Sequence, residues 1–271
     1  MLGKLIHYEM KAFGRIMLPL YAAALAFSLF MGLGLRFLPT DLLGGLPTIL
    51  MFMIYGFLML AIMLMTTILA VTRFYNNLLG REGYLMFSLP AGTLSLISSK
   101  VISLVIWSFL STLTAVLTIG ICAVGAGGID VLREIPNLVV YLSEWENLPE
   151  ALRTIAVTSV LLIFTTAAAI VKIYAAISVG HQFQGHRIAW SVVAYVCFNL
   201  IETAIRSIVA LIESQTGVLE AWWNRYFLIF DAETVQAVRS IMWGGVGLSL
   251  VAILIYGALT WGLLDRRLNL E

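Results

Sequence analysis

Six apolar stretches, each long enough to cross a lipid bilayer, dominate this chain. They cover residues 16–37, 47–72, 101–124, 155–178, 188–212 and 241–264. A bilayer core about 30 Å thick, crossed at about 1.5 Å per residue, needs about 20 such residues. The stretches are continuous rather than alternating between apolar and polar residues, which indicates helices and excludes a β-barrel. The sequence therefore predicts an all-α integral membrane protein, with residues 1–271 forming a single transmembrane domain of six spans.

The distribution of charge predicts the topology. Only 11% of the residues are charged and 61% are hydrophobic, which leaves too few polar side chains to coat a water-soluble core of this size. With six spans both termini face the same side, and that side receives most of the basic residues. They are Lys4, Lys11, Arg15, Arg73, Arg81, Lys100, Arg187, Arg266 and Arg267. The positive-inside rule therefore predicts cytoplasmic termini, and the net charge of +1 gives no reason to expect a nucleic-acid partner.

The first fifteen residues have the pattern of an amphipathic helix. One helical face carries Leu2, Leu5, Ile6, Met10 and Phe13, and the other is marked by Lys4, Tyr8, Lys11 and Arg15. We expect residues 1–15 to form an interfacial helix in the membrane plane, with a bend near Pro19 before the first span. The alternative is a cytoplasmic extension of that span with a solvated face.

Two connections on the predicted outer side are too polar to span a membrane but carry aromatic residues. They are "NLVVYLSEWENLPEALR" at 137–153 and "EAWWNRYFLIFDAETVQAVR" at 220–239. Tryptophan and tyrosine favour the boundary between lipid and water, because their rings are apolar and their tips are polar. The sequence therefore predicts short outer interfacial helices anchored by Trp145, Trp222, Trp223 and Tyr226.

The connection between the second and third spans, "RFYNNLLGREGYLMFSLPAGTLSLISSK" at 73–100, is longer than a turn requires. Gly80 can end the helix that continues from the second span, Pro90 can stop a short segment, and Thr93 can cap the helix that leads into the third span. This predicts a short cytoplasmic helix held between two breaks. Its apolar residues are Tyr84, Leu85, Phe87 and Leu89. They are too few to cross a membrane, so they need either a membrane surface or a partner protein.

The run "GREGYLMFSLPAGTLSLISSK" resembles the cytoplasmic loop of the type 2 ATP-binding cassette (ABC) exporter permeases. The matching positions are Arg81, Glu82, Gly83, Leu89, Pro90, Thr93, Ser99 and Lys100. Two further runs, "LGKLIHYEMKAFGRIMLPLY" and "ISVGHQFQGHRIAWSVVAY", look like the bacterial branch of that family, in which each permease is a single six-span subunit.

The resemblance implies a multi-pass subunit of the bacterial inner membrane, paired with a second copy or a related permease. The short helix would be a coupling helix seated in a separate cytoplasmic ABC ATPase, which would bind the ATP and Mg²⁺. The implied coupling residues are Arg81, Glu82, Tyr84, Phe87 and Pro90. Besides membrane lipid, we expect a hydrophobic or amphipathic substrate such as a peptide, antibiotic or lipid. Two alternatives stay open: a loop on the membrane surface without a partner, and an ATPase-independent scaffold or sensor that binds a ligand through its outer loops.

The sequence lacks the signatures of an enzyme. No GxxxxGK[ST] loop occurs, because the only Gly-Lys pair, Gly3-Lys4, stands near the start of the chain and is followed by leucine. The histidines, all outside the predicted spans, are His7, His181 and His186. Cys122 and Cys197 lie within apolar stretches, without metal-ligand spacing. We therefore expect no catalytic residue, no metal site and no cofactor in this chain.

Charged residues inside the fifth span form the most unusual feature within the membrane. Glu202 and Arg206 are four residues apart and so share a helical face. A charge at the bilayer centre costs about 2.5 to 3.5 kcal/mol, so pairing is expected. The pair is either a buried ion pair between helices or part of a substrate pathway. Lys172 in the fourth span is expected to extend its stem to the cytoplasmic boundary.

Overall fold

The computed structural model is helical throughout the part that it describes, with no strand there. The described residues are 2–37, 45–79, 92–128, 137, 148–183, 185–216 and 234–266. The helices are α1 (Leu2–Phe37), α2 (Leu46–Phe74), α3 (Thr93–Gly127), α4 (Leu148–Gly180), α5 (Arg187–Thr216) and α6 (Thr234–Arg266). Each has a segment long and apolar enough to cross a membrane. The predicted six-helix membrane architecture is therefore confirmed.

Every helix is longer than its apolar stretch. The helix α3, for example, begins at Thr93, although the third apolar stretch begins only at residue 101. At its far end α2 continues as a π-helical turn, Tyr75–Leu79. Hydrophobicity marks only the part of a helix that lies in lipid, whereas backbone hydrogen bonds extend the helix into polar sequence. The boundaries of apolar stretches therefore underestimate the helices.

The N-terminal segment differs from the expected separate interfacial helix. A single helix, α1, runs from Leu2 to Phe37 with Pro19 inside it, and no helix boundary occurs near residue 15. The polar face of its first turns is exposed, as predicted, but Phe13 and Met17 on the other face are fully buried. Tertiary packing of this face accounts for the continuous helix. A membrane helix tolerates the loss of the backbone hydrogen bond that proline cannot donate.

The described helices fall into two compact units. Unit 1 comprises Met1–Thr72 and Ser98–Pro149, and unit 2 comprises Arg73–Ile97 and Glu150–Glu271. Unit 1 thus contains α1, most of α2 and most of α3. Unit 2 contains most of α4, all of α5 and α6, and the described residues 73–79 and 92–97 of the connection between α2 and α3.

In unit 1, helices α1 and α3 run parallel. The Tyr21 hydroxyl lies 2.6 Å from the Ser111 hydroxyl, and it also donates to the backbone carbonyl of Trp107 at 3.2 Å. Further along, the helices meet backbone to backbone, because a Cβ added to Gly32 would lie 2.9 Å from the Cα of Gly125. The absence of side chains at these two glycines therefore permits the close contact, as in other membrane helix pairs.

In unit 2, α4 and α5 form an antiparallel hairpin whose described turn residues are 181–183, 185 and 186. Gly180 lies so close to Ser191 that a Cβ at this glycine would overlap with the Ser191 backbone nitrogen. Gly185 adopts a φ of 81°, in the left-handed region that glycine enters without strain. The rings of Phe183 and Trp190 stack across the turn with centroids 4.5 Å apart. Local sequence thus fixes the geometry that aligns α4 with α5.

Candidate functional site

The predicted coupling residues Arg81, Glu82, Tyr84, Phe87 and Pro90 lie outside the described residues. Both flanks of that segment are described. On one side the π-helical turn Tyr75–Leu79 continues α2, with Leu78 and Leu79 buried. On the other side α3 begins at Thr93, so Gly92, rather than the expected Thr93, is the residue that precedes the helix. Its first turn is closed by Gly92, whose carbonyl accepts hydrogen bonds from the amides of Ser95 at 2.8 Å and Leu96 at 3.3 Å.

Both flanks of the connection are held by helices of unit 2. The buried rings of Phe74 and Tyr174 stack with centroids 4.0 Å apart and planes inclined by only 12°. At the other flank, the Thr93 hydroxyl donates a hydrogen bond of 3.3 Å to Asp265 near the end of α6. The connection is therefore anchored at one end to α4 and at the other to α6.

A histidine stands beside the first of these anchors. The ring of His181, just after α4, makes an edge contact with the ring of Tyr75 at a centroid distance of 6.3 Å. Its Nδ1 atom is buried and has no hydrogen-bond partner in the described part of the chain. Burial, and secondarily the positive charge of Arg187, lower the pKa of His181 below its ordinary value of 6.5. The lowered pKa favours the neutral form of this imidazole.

Lys100, the last residue of the connection, forms a buried ion pair in unit 1. Its ammonium donates a hydrogen bond of 2.5 Å to Glu9 on α1. The side chains of Lys100 and Glu9 are only 4% and 9% exposed. Sequence analysis missed this role of Glu9, although the spacing carries the signal. Glu9 precedes the buried Phe13 by four residues and Met17 by eight, which places Glu9 on the same buried helical face.

A second ion pair joins three helices within unit 2. The Lys172 ammonium on α4 donates to Glu202 of α5 at 3.1 Å and to the side-chain oxygen of Asn199 at 3.0 Å. From α6, the Tyr256 hydroxyl donates to the other carboxylate oxygen of Glu202 at 2.6 Å. The ammonium also lies 5.7 Å from the centroid of the Tyr195 ring. We call these five residues the Glu202 cluster.

Helix geometry explains why Lys172 and Glu202 meet. Lys172 lies eight residues before the end of α4, about 12 Å, and Glu202 lies fifteen residues after the start of α5, about 22 Å. Side chains lean toward the N-terminus of their helix. In this antiparallel hairpin Lys172 therefore leans away from the turn and Glu202 leans toward it. The expectation that Lys172 extends toward the cytoplasmic boundary is wrong, because the turn lies in the opposite direction from its partner.

The predicted pair of Glu202 and Arg206 stays a prediction. Arg206 lies one turn further along α5, but its side chain is outside the described part of the structure. Sequence analysis missed the contributions of Asn199 and Tyr256. For Asn199 a signal exists, because Tyr195, Asn199 and Glu202 recur at spacings of four and three and therefore share one face of α5. Tyr256 lies in another helix, and no local pattern links it to Glu202.

The two ion pairs differ in accessibility. In the Glu202 cluster the side chains of Lys172 and Glu202 are 13% and 25% exposed, more than those of Lys100 and Glu9. Exposing a charge to hydrocarbon is costly, so the surrounding amide, phenol and aromatic ring reduce that cost. Chemically, the cluster offers a carboxylate, an ammonium and an aromatic face that a bound molecule could contact. Among the described residues, no group of three or more His, Cys, Asp or Glu side chains is arranged to hold a metal ion.

No family model, no curated protein and no solved structure matches this chain. The assignment of a function therefore depends on the residues and the geometry described above.

Proposed function

We propose that this chain is the membrane subunit of an ABC transporter, moving a hydrophobic or amphipathic substrate with ATP hydrolysed by a separate ATPase. One observation carries the proposal. The described residues 73–79 and 92–97 of the connection between α2 and α3 belong to unit 2, whereas the helices that they continue belong mostly to unit 1. A displacement of residues 80–91 by a bound ATPase would therefore be transmitted to helices of both units.

Two routes would transmit that displacement. The contacts of Phe74 with Tyr174 and of Thr93 with Asp265 lead from the connection to α4 and α6. The ion pair of Lys100 with Glu9 leads from the start of α3 to α1. Closure of two ATPase subunits on ATP would displace the coupling residues and shift the helices between two arrangements. Such a shift requires contacts that differ between the two arrangements, as in other ligand-driven switches.

The wider arrangement follows from the same proposal. Both termini and the connection would lie in the cytoplasm of a bacterium, with the six helices in its inner membrane. A second copy or a related permease would complete the translocation pathway, because such permeases work in pairs. The Glu202 cluster would line that pathway, since it is polar and partly open among apolar side chains.

The test is co-purification of the tagged chain in mild detergent. We expect a vanadate-sensitive ATPase to be retained, and we expect Tyr84→Ala combined with Phe87→Ala to reduce the retained ATP hydrolysis by about tenfold or more, because aromatic anchors dominate docking surfaces. The matched control is Phe37→Ala, which removes an exposed aromatic side chain at the last residue of α1, outside the connection. Unchanged ATPase capture by the double variant, in a chain that elutes as a folded species, would reject the coupling role. Absence of any ATPase would favour the scaffold or sensor.

A further inference from the structure

The Lys172 ammonium occupies a site with the chemistry of an ammonium receptor. Glu202 supplies a carboxylate at 3.1 Å, Asn199 supplies an amide oxygen at 3.0 Å, and Tyr195 supplies an aromatic face at 5.7 Å. Carboxylates, carbonyl oxygens and aromatic faces all bind ammonium ions. Tyr256 holds the carboxylate from a third helix. The receptor is thus built from α5 and α6, and the occupant comes from α4.

This receptor is partly exposed, whereas the ion pair of Lys100 with Glu9 is buried. The Glu202 side chain is 25% exposed and the Tyr195 residue 38% exposed, so both the carboxylate and the aromatic face can be approached from outside the cluster. On the neighbouring face of α5 lie the exposed apolar side chains of Val192, Val196 and Leu200. Polar groups beside an exposed apolar row suit a molecule with a charged head and an apolar tail.

We infer that the Glu202 cluster binds the headgroup of a zwitterionic amphiphile whose ammonium displaces that of Lys172. The displaced lysine then binds the anionic group of the same headgroup. Its role as a transport site rests on the proposed function, but the binding itself does not.

Charge balance selects this class of ligand. A headgroup with both an ammonium and a phosphate or carboxylate replaces the one ion pair between Lys172 and Glu202 by two. An amphiphile with only an ammonium would separate Lys172 from Glu202 without offering the lysine an anion in return. One with only an anion would draw Lys172 away from Glu202 without offering that carboxylate a cation in return. The net loss of an ion pair in a poorly hydrated site is unfavourable. The cluster therefore discriminates against both singly charged classes.

Native mass spectrometry of the purified chain in an uncharged detergent tests this inference. The probes are lysophosphatidylethanolamine as the zwitterion, dodecylamine as the cation and dodecyl phosphate as the anion. We expect the zwitterion to bind the parent chain about tenfold more tightly than either singly charged probe. Equal affinity for all three would overturn the inference, because it would mean adsorption through the tails alone.

Two variants assign the binding to the cluster. Glu202→Gln keeps the shape of the side chain and removes its charge, so it should weaken binding of the zwitterion about tenfold. Lys172→Met removes the internal occupant, so it should tighten binding of dodecylamine about tenfold. An ion pair with a purely structural role predicts no such gain, and its absence in a folded Lys172→Met variant would refute the displacement.

Tyr195→Leu provides a test that leaves the ion pair intact. Loss of the aromatic face should weaken binding of the zwitterion about threefold. The control is Tyr8→Leu, an exposed tyrosine of unit 1, which should leave the affinity unchanged. Equal affinities of the two tyrosine variants would argue against the site. These measurements need no ATPase, so failure of ATPase capture and failure of lipid binding are separate results.

Discussion

Unit 1 and unit 2 each contain a lysine paired with a glutamate across helices, but the two pairs are built differently. Lys100 and Glu9 lie 2.5 Å apart with almost no exposed side-chain surface. Lys172 and Glu202 lie 3.1 Å apart, share a network with an amide and a phenol, and stay partly exposed. A sealed pair can only join its helices, whereas an open pair can exchange partners. The same two residue types thus serve as a joint in one unit and as a receptor in the other.

The largest expected effect comes from breaking the sealed pair. Lys100→Met takes the ammonium away from the buried Glu9 carboxylate, so it should lower the free energy of unfolding by about 3 to 5 kcal/mol. Unfolding by sodium dodecyl sulfate in mixed micelles measures the change. Adding Glu9→Leu to Lys100→Met should restore most of the stability, because a buried pair and well-packed apolar residues are often equivalent. A double variant as unstable as Lys100→Met alone would show that the charge pair is not the source of the loss.

A smaller effect is expected from the same change in the open pair. Lys172→Met should lower the free energy of unfolding by only about 1 kcal/mol, since interhelical polar contacts in membranes contribute about that much and the pair is partly exposed. Glu202 also keeps its hydrogen bond from Tyr256. The measurement is the same detergent titration. If Lys172→Met and Lys100→Met cost equal free energy, the distinction between a joint and a receptor fails.

The comparison also explains what the sequence could and could not predict. Six helices follow from the length of the apolar stretches, and the exposed face marked by Lys4, Tyr8, Lys11 and Arg15 follows from helical spacing. Partners in other helices do not follow. Glu202 and Arg206 are neighbours in sequence, so their proximity is visible, whereas Lys172 is thirty residues from Glu202 and Tyr256 is fifty-four. Those contacts depend on the lean of side chains and the register of the packed helices, which no single helix reveals.

The smallest expected effect concerns His181, which lies in the turn between α4 and α5 and contacts Tyr75 at the anchored end of the connection. Its pKa is lowered in the folded chain, first by burial and then by Arg187. Below the ordinary pKa of 6.5 the unfolded chain therefore binds more protons than the folded chain, and stability decreases as the pH falls from 7. His181→Gln removes this titration, so its unfolding should depend less on pH between 7 and 5. Thermal unfolding of both chains across that range measures the difference, and parallel pH profiles would contradict it.

Because protonation of His181 would also place a positive charge beside Tyr75, any loss of ATPase capture at low pH should be smaller in His181→Gln. A smaller loss in His181→Gln would locate a pH-sensitive contact in unit 2, at the anchored end of the connection.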